Sequence, residues 1–135
     1  MMTDDLKGTF VLVHPELPYD PANKQNEIGS ITHSDLSNDD VFVSFGDEPA
    51  LYEPDALLVL MPMEQIHANL AELAYETTFR DLKSLTQIDL FLRYGSDNKE
   101  FMALELARDN KNIQPLCLES LGEQIRRSLS QYPER

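Results

Sequence analysis

Apolar residues recur along this chain with two different periods, and the change falls at Pro62. Before it the pattern is that of short strands. Residues 8–14 (Gly-Thr-Phe-Val-Leu-Val-His) are β-branched and aromatic and predict a first strand. Residues 15–26 hold Pro15, Pro18 and Pro21 among Asn and Asp. Proline removes a backbone donor and keeps the preceding residue extended, so an ordered excursion is predicted here rather than a helix. Residues 27–33 predict a second strand, in which Gly29 suits a bulge or a close backbone approach. After turn material at 34–40, residues 41–45 give the clearest strand, with Val41, Val43 and Phe45 on one face and Phe42 and Ser44 on the other. A hairpin loop at 46–49, a return strand at 50–53, one helical turn at 54–57 and a last strand at 58–61 complete the series. Five short strands in about sixty residues suit a small barrel, because closure hides strand edges that would otherwise invite aggregation.

From Pro62 the period becomes helical. Pro62 fits the first turn of a helix, and Ile66, Leu70, Leu73 and Thr77 fall on one stripe. A second helix is predicted from about Asp81, with Leu82, Leu85, Ile88 and Leu92 inward and a stop at Gly95. Asp97 followed by Glu100 resembles a capping box opening a third helix that carries Phe101, Leu104 and Ala107. Asn110-Lys111-Asn112 breaks it. A fourth helix is expected over residues 118–131, burying Leu121, Ile125 and Leu129.

The order of strand, long loop, three-stranded meander, helical turn and last strand resembles an SH3-like small barrel of the Tudor or KOW kind. The residues carrying the resemblance are Gly-Thr-Phe-Val-Leu-Val at 8–13, Ile-Gly-Ser-Ile at 28–31, Val-Phe-Val-Ser-Phe-Gly at 41–46 and Leu-Tyr-Glu-Pro-Asp-Ala-Leu at 51–57. The expectation is therefore an α+β protein: a five-stranded SH3-like barrel over residues 1–61, and a region of three or four helices over 62–135, packed on or beside it. The helical half resembles small bacterial helical domains in a general way. The resemblance implies a binding module, since such barrels bind proline-rich peptides, methylated side chains or nucleic acid. Two features depart from the pattern. There is no tryptophan of the kind that peptide-binding relatives place in their groove, and no basic rim of the kind that nucleic-acid-binding relatives carry.

Charge sharpens the second point. Residues 1–61 carry two basic groups, Lys7 and Lys24, against twelve acidic ones, a net of −10; residues 62–135 carry nine against twelve, a net of −3. Nucleic acid is held largely by neutralising its phosphates, and the first half has almost nothing to offer them. Direct nucleic-acid binding by the barrel is not expected, although Arg126-Arg127 leave a small basic spot. Hydrophobic residues make up 41% of the 135, enough for a packed core, and no apolar run approaches the ~18 residues that cross a bilayer, so no membrane partner is expected. The acidic opening lacks the basic-then-apolar pattern of a secretory signal, and Cys117 is the single cysteine, which together predict a cytoplasmic protein.

No glycine-rich phosphate loop, HExxH pair, CxxC, EF-hand loop or serine elbow occurs. No enzyme activity and no cofactor or metal are expected. His14 and His33, with Asp35 or Asp20, would form a metal site only if pairing of the first two strands brought them together. Asp20, Asn23, Asn26 and Glu27 offer oxygens in the long loop at a spacing that fits an Asx-rich turn network better than a calcium loop. His67 reads as a solvated helix residue and Cys117 as a small buried hydrophobe. Tyr19, Phe42 and Tyr52 are the candidate binding residues, with Asp47 and Glu48 of the hairpin loop; an aromatic cluster ringed by carboxylates can hold a cationic side chain. Packing of Phe42 against the helical half is the competing account of that residue. The sequence thus points to a non-enzymatic interaction module whose acidic face engages a basic protein or peptide. A structural protein whose helices self-associate into a homo-oligomer is the alternative.

Overall fold

The computed structural model describes residues 6–73 and 78–130, without the side chains of Leu73, Leu129 and Ser130. Thr77 of the expected first helical stripe and Gln131 at the expected last helix end lie outside the described residues, as do the side chains of Leu73 and Leu129. In chain order the elements are β1 (Phe10–Val13), β2 (Ile28–Asp35), a 3-10 turn (Leu36–Asn38), β3 (Asp40–Phe45), β4 (Glu48–Tyr52), a second 3-10 turn (Pro54–Ala56) and β5 (Leu57–Leu60). Then come α1 (Met63–Leu73), α2 (Phe79–Tyr94), α3 (Lys99–Arg108), α4 (Gln114–Cys117), β6 (Leu118–Ser120) and α5 (Leu121–Ser130). The class is α+β. Six strands and five helices stand among the described residues where five strands and three or four helices were expected. No described helix is long and apolar enough to cross a membrane.

The chain forms two compact units, one of Met1–Val59 with Ser120–Arg135 and the other of Leu60–Glu119. The chain passes from one to the other at 59/60 and back at 119/120. The C-terminal helix α5, however, groups with the sheet and not with the other helices.

The sheet is a curled half-barrel of antiparallel strands in the order β4-β3-β2-β1-β5-β6, with β4 and β6 at its ends. Strict alternation puts Val11, Val13, Ile31, Val41, Val43, Tyr52, Leu57 and Val59 into one core, which Leu121 of α5 completes. Gly29 leaves room for side chains of the neighbouring strand β3: a β-carbon there would sit 2.8 Å from the Phe45 ring and 2.5 Å from Val43. The bulge itself lies further on, between Ile31 and His33, where β2 slips its register against β3. Pro49 falls inside β4, an end strand, where a missing backbone donor is tolerated. The hairpin therefore closes through Gly46 and Asp47 alone, with Gly46 at φ 72°.

In the second unit α2 packs on α1 and α3, and the short α4 packs on both α1 and α3. Ile66, Leu85, Ile88, Leu104, Ala107 and Cys117 are buried. The Pro62 carbonyl accepts from Gln65 N (2.9 Å) and Ile66 N (3.1 Å), so the proline stands just ahead of the helix it was expected to open from within. Gly95 ends α2 at φ −75°, not in the left-handed region; a β-carbon there would overlap the Phe91 carbonyl. The expected helix at 118–131 begins later. Leu118 is extended, Met61 N donates to Cys117 O (2.8 Å), and Ser120 Oγ accepts from Glu123 N (3.0 Å) to start α5 at Leu121.

Asp97 does not cap α3. The cap position is Asn98, whose side chain makes no capping bond, whereas Thr78 caps α2 by accepting from Asp81 N at 3.2 Å. Thr78→Ala should therefore cost about 0.5–2 kcal/mol. Asp97→Ala should change the urea midpoint by less than the equivalent of about 0.5 kcal/mol. A larger loss at Asp97 than at Thr78 would overturn this assignment.

Candidate functional site

The long loop between β1 and β2 is organised by one carboxylate. Asp20 Oδ1 accepts from Ala22 N (2.9 Å), while its Oδ2 accepts from Lys24 N (2.9 Å) and from the Tyr52 hydroxyl (2.8 Å). Its own carbonyl takes Asn23 N (2.9 Å). Asn23 and Asn26 adopt φ 58° and 69°, the left-handed conformation that asparagine tolerates. The oxygen-rich loop is thus the Asx network expected from sequence. Burial pushes the Asp20 carboxyl up, but the bonds from Lys24, Tyr52, Ala22 and Asn23 outweigh it and hold the group below its ordinary 3.8. Burial, the bond to Asp20 and its negative charge push the Tyr52 phenol well above its ordinary value.

A second tether runs from the same loop. Lys24 pairs with Glu48 at the start of β4, and its ammonium lies 5.7 Å from the centre of the Phe45 ring. The loop is therefore pinned to β4 at both ends, by Tyr52 and by Glu48.

Pinning creates a cleft of about 350 Å³ in the sheet unit, with Tyr19, Asp20 and Pro21 on the loop side and Leu51, Glu53 and Asp55 opposite. Tyr52, 6% exposed, belongs to its floor, whereas Tyr19 is 76% and Leu51 52% exposed. A second cleft of about 390 Å³ adjoins it, sharing Glu53 and Asp55 and lined further by Leu36, Asp39, Pro54, Ile125 and Arg126. Arg126 of α5 lies 3.4 Å from Asp55 Oδ1, and Gly122 lets the helix approach that carboxylate where a β-carbon would collide with it. An open aromatic ring, an open aliphatic side chain and carboxylates of one sign are equipment for holding a cationic side chain by Coulomb and cation–π attraction.

Of the five sequence candidates, the fold brings Tyr19 and Tyr52 together. Phe42 is not with them: it faces the other side of β3, half-buried, with its ring 5.4 Å from that of His33. Asp47 stands exposed in the hairpin turn, and Glu48 is engaged by Lys24. Sequence reasoning missed Leu51, Glu53 and Asp55: alternation along β4 sends Leu51 to the face away from Tyr52, across from Phe42, and Asp55 lies within the expected helical turn, so no shared face pointed to them.

The histidines do not converge. The pairing Phe10↔Ser30, Val11↔Gly29, Leu12↔Ile28 sends His14 and His33 to opposite ends of the β1–β2 pair. His14 Nδ1 instead accepts from Glu16 N (3.1 Å). Among the described residues no group of three or more His, Cys, Asp and Glu side chains could hold a metal ion.

Two polar clusters occupy the helical unit. Asp81 accepts from Asn110 Nδ2 (2.9 Å) and Asn112 Nδ2 (3.3 Å), clipping the turn after α3 to the start of α2. The Asn110 bond leads, and despite burial these bonds hold the Asp81 carboxyl below its ordinary value. Asp89, buried on α2, lies 3.3 Å from His67 Nδ1 and accepts from Arg93 Nε at 3.5 Å. Cys117 is fully buried, with its Sγ 3.3 Å from the Ile113 carbonyl, and burial pushes its thiol up to about 12. Compared with protein-family models, curated proteins and solved structures, the chain finds no match in any of the three.

Proposed function

We propose that this chain is a non-enzymatic interaction module whose acidic cleft in the sheet unit engages a basic protein or peptide. The observation that carries the reading is the exposure of Tyr19 and Leu51 on a cleft rimmed by Asp20, Glu53 and Asp55, in a half of the chain with a net charge of −10. The sheet is, in this reading, an SH3-like barrel of the Tudor or KOW kind that is left open. The order β4-β3-β2-β1-β5, with a 3-10 turn between β4 and β5, supports it. The module works in the cytoplasm and does not hold nucleic acid through its sheet half, as the lone cysteine and the scarcity of cations there suggest.

A labelled peptide rich in Lys and Arg, titrated by fluorescence anisotropy, tests this. Affinity should fall as salt rises, because at about 0.15 M the Debye length is only ~8 Å. Tyr19→Ala should weaken binding about two- to fivefold with an unchanged melting temperature, the range expected of an exposed cation–π contact. Equal affinity for an acidic peptide of the same length, or tight binding of duplex DNA, would overturn the reading.

A second reading, self-association through the helices, is favoured by α2, which exposes Phe79 and Tyr94 at 79% each and Leu90 at 48%.

A further inference from the structure

Large exposed hydrophobic side chains are not scattered over the described part of this molecule. Among the described residues there are six, and five of them fall in two places: Tyr19 and Leu51 on the acidic cleft, and Phe79, Leu90 and Tyr94 on α2. At 100° per residue the last three lie within an arc of about 60°, together with Lys83. The buried residues Asp81, Leu85 and Ile88 occupy the opposite side of the same helix.

The charges on α2 are sorted in the same way. Its basic residues Arg80, Lys83 and Arg93 are exposed, whereas both of its acidic residues, Asp81 and Asp89, are buried. Arg93 is turned toward Asp89, which leaves Arg80 and Lys83 as the cations beside the apolar stripe. In a chain of net charge −13, the outward face of α2 is thus apolar and positive. That is the chemistry the cleft is built to receive.

We infer that the partner of the acidic cleft is a second copy of this chain, docking the Phe79–Lys83–Leu90–Tyr94 face of α2 against Tyr19, Leu51, Glu53 and Asp55. This inference rests on the cleft reading above and names its occupant. A symmetric α2–α2 contact would bury the same apolar stripe but set Arg80 and Lys83 against like charges, whereas a contact of α2 with the cleft sets them against Glu53 and Asp55. The contact is heterologous, so a pair keeps one free α2 face on the copy whose cleft is filled and one free cleft on the other. Repetition then gives either a closed ring or an open filament.

Sedimentation velocity over a wide concentration range tests this. The wild-type chain should self-associate at low salt and dissociate as salt rises. Lys83→Glu and Glu53→Lys, both at exposed positions, should each weaken self-association at least tenfold while keeping the wild-type circular dichroism spectrum and melting temperature. Mixed in equal amounts, the two variants should associate again, because the intact cleft of one meets the intact α2 of the other and the reversed charges also match. A wild-type chain that stays monomeric, or a loss with Lys83→Glu but not with Glu53→Lys, overturns the inference. The cleft is untouched in Lys83→Glu, so titrating that variant with the Lys/Arg-rich peptide separates the two readings. Peptide binding by that variant, with a wild-type chain that stays monomeric, leaves the cleft reading standing and removes this one; no peptide binding removes both.

Discussion

Tyr52→Ala should lower the stability of the sheet unit by about 3–5 kcal/mol, the range for removing a buried aromatic side chain. Tyr52→Phe should cost about 1–2 kcal/mol, because Asp20 then loses a donor it cannot fully replace from solvent. The pair also sets the pH limits of the fold. Asp20 titrates below its ordinary value when folded, so its contribution is complete at neutral pH and is lost as pH falls through the ordinary carboxylate value and then the lower folded one. Asp35, Glu48 and Asp81 are shifted the same way and reinforce the acid limb. Tyr52 is shifted up, so its contribution is present below the ordinary 10.0 and disappears as pH rises beyond it. Lys24, raised by its bond to Glu48, adds to the alkaline limb. Urea midpoints measured across pH should form a plateau with a fall at each end. In Tyr52→Phe the alkaline fall should shrink; an unchanged alkaline limb would show that the phenol is not the group responsible.

Leu121→Ala should cost about 2–5 kcal/mol, as for a large aliphatic side chain lost from a packed core. Leu121 is fully buried among strand residues and belongs to α5, which packs on the 3-10 turn at Pro54–Ala56. The location of the damage is the sharper test. Hydrogen exchange should accelerate at amides of β1 and β3, the strands whose valines share that core, and leave α2 and α3 as they were. Faster exchange confined to α2 and α3 would mean that α5 belongs energetically with the helices, as the change of period at Pro62 suggested.

That suggestion shows where sequence reading reaches its limit. Period identifies an element's type but not its partner: Leu121 and Ile125 repeat at helical spacing whether a sheet or another helix lies beneath them. Leu118 stands three residues before Leu121, so an extended residue joined the helical stripe by coincidence of spacing. The true start was written as Ser120-x-x-Glu123, as that of α2 was written as Thr78-x-x-Asp81. Asp97-x-x-Glu100 has the same form, yet Asn98 takes the cap position. The facing of β3 was fully legible, since Val41 and Val43 are buried and Phe42 lies on the other side. Parity extends this to the site. A hairpin loop of either two or four residues sets Tyr52 across from a valine, so Phe42 and Tyr52 fall on opposite faces whichever loop is chosen. The meeting of Tyr52 with Asp20, 32 residues away, was not legible, because no local pattern encodes which hydroxyl a loop carboxylate will find.

Cys117 turns the helical unit into its own stopwatch. It is the chain's single thiol and is fully buried, and with its proton held until about 12 it offers almost no thiolate to an electrophile at neutral pH. Alkylation must therefore wait for Leu60–Glu119 to open, and its rate under excess reagent reads the frequency of that opening. Because the sheet unit contributes no sulfhydryl, the labelling curve of the intact protein reports one half of the molecule alone, without any engineered probe.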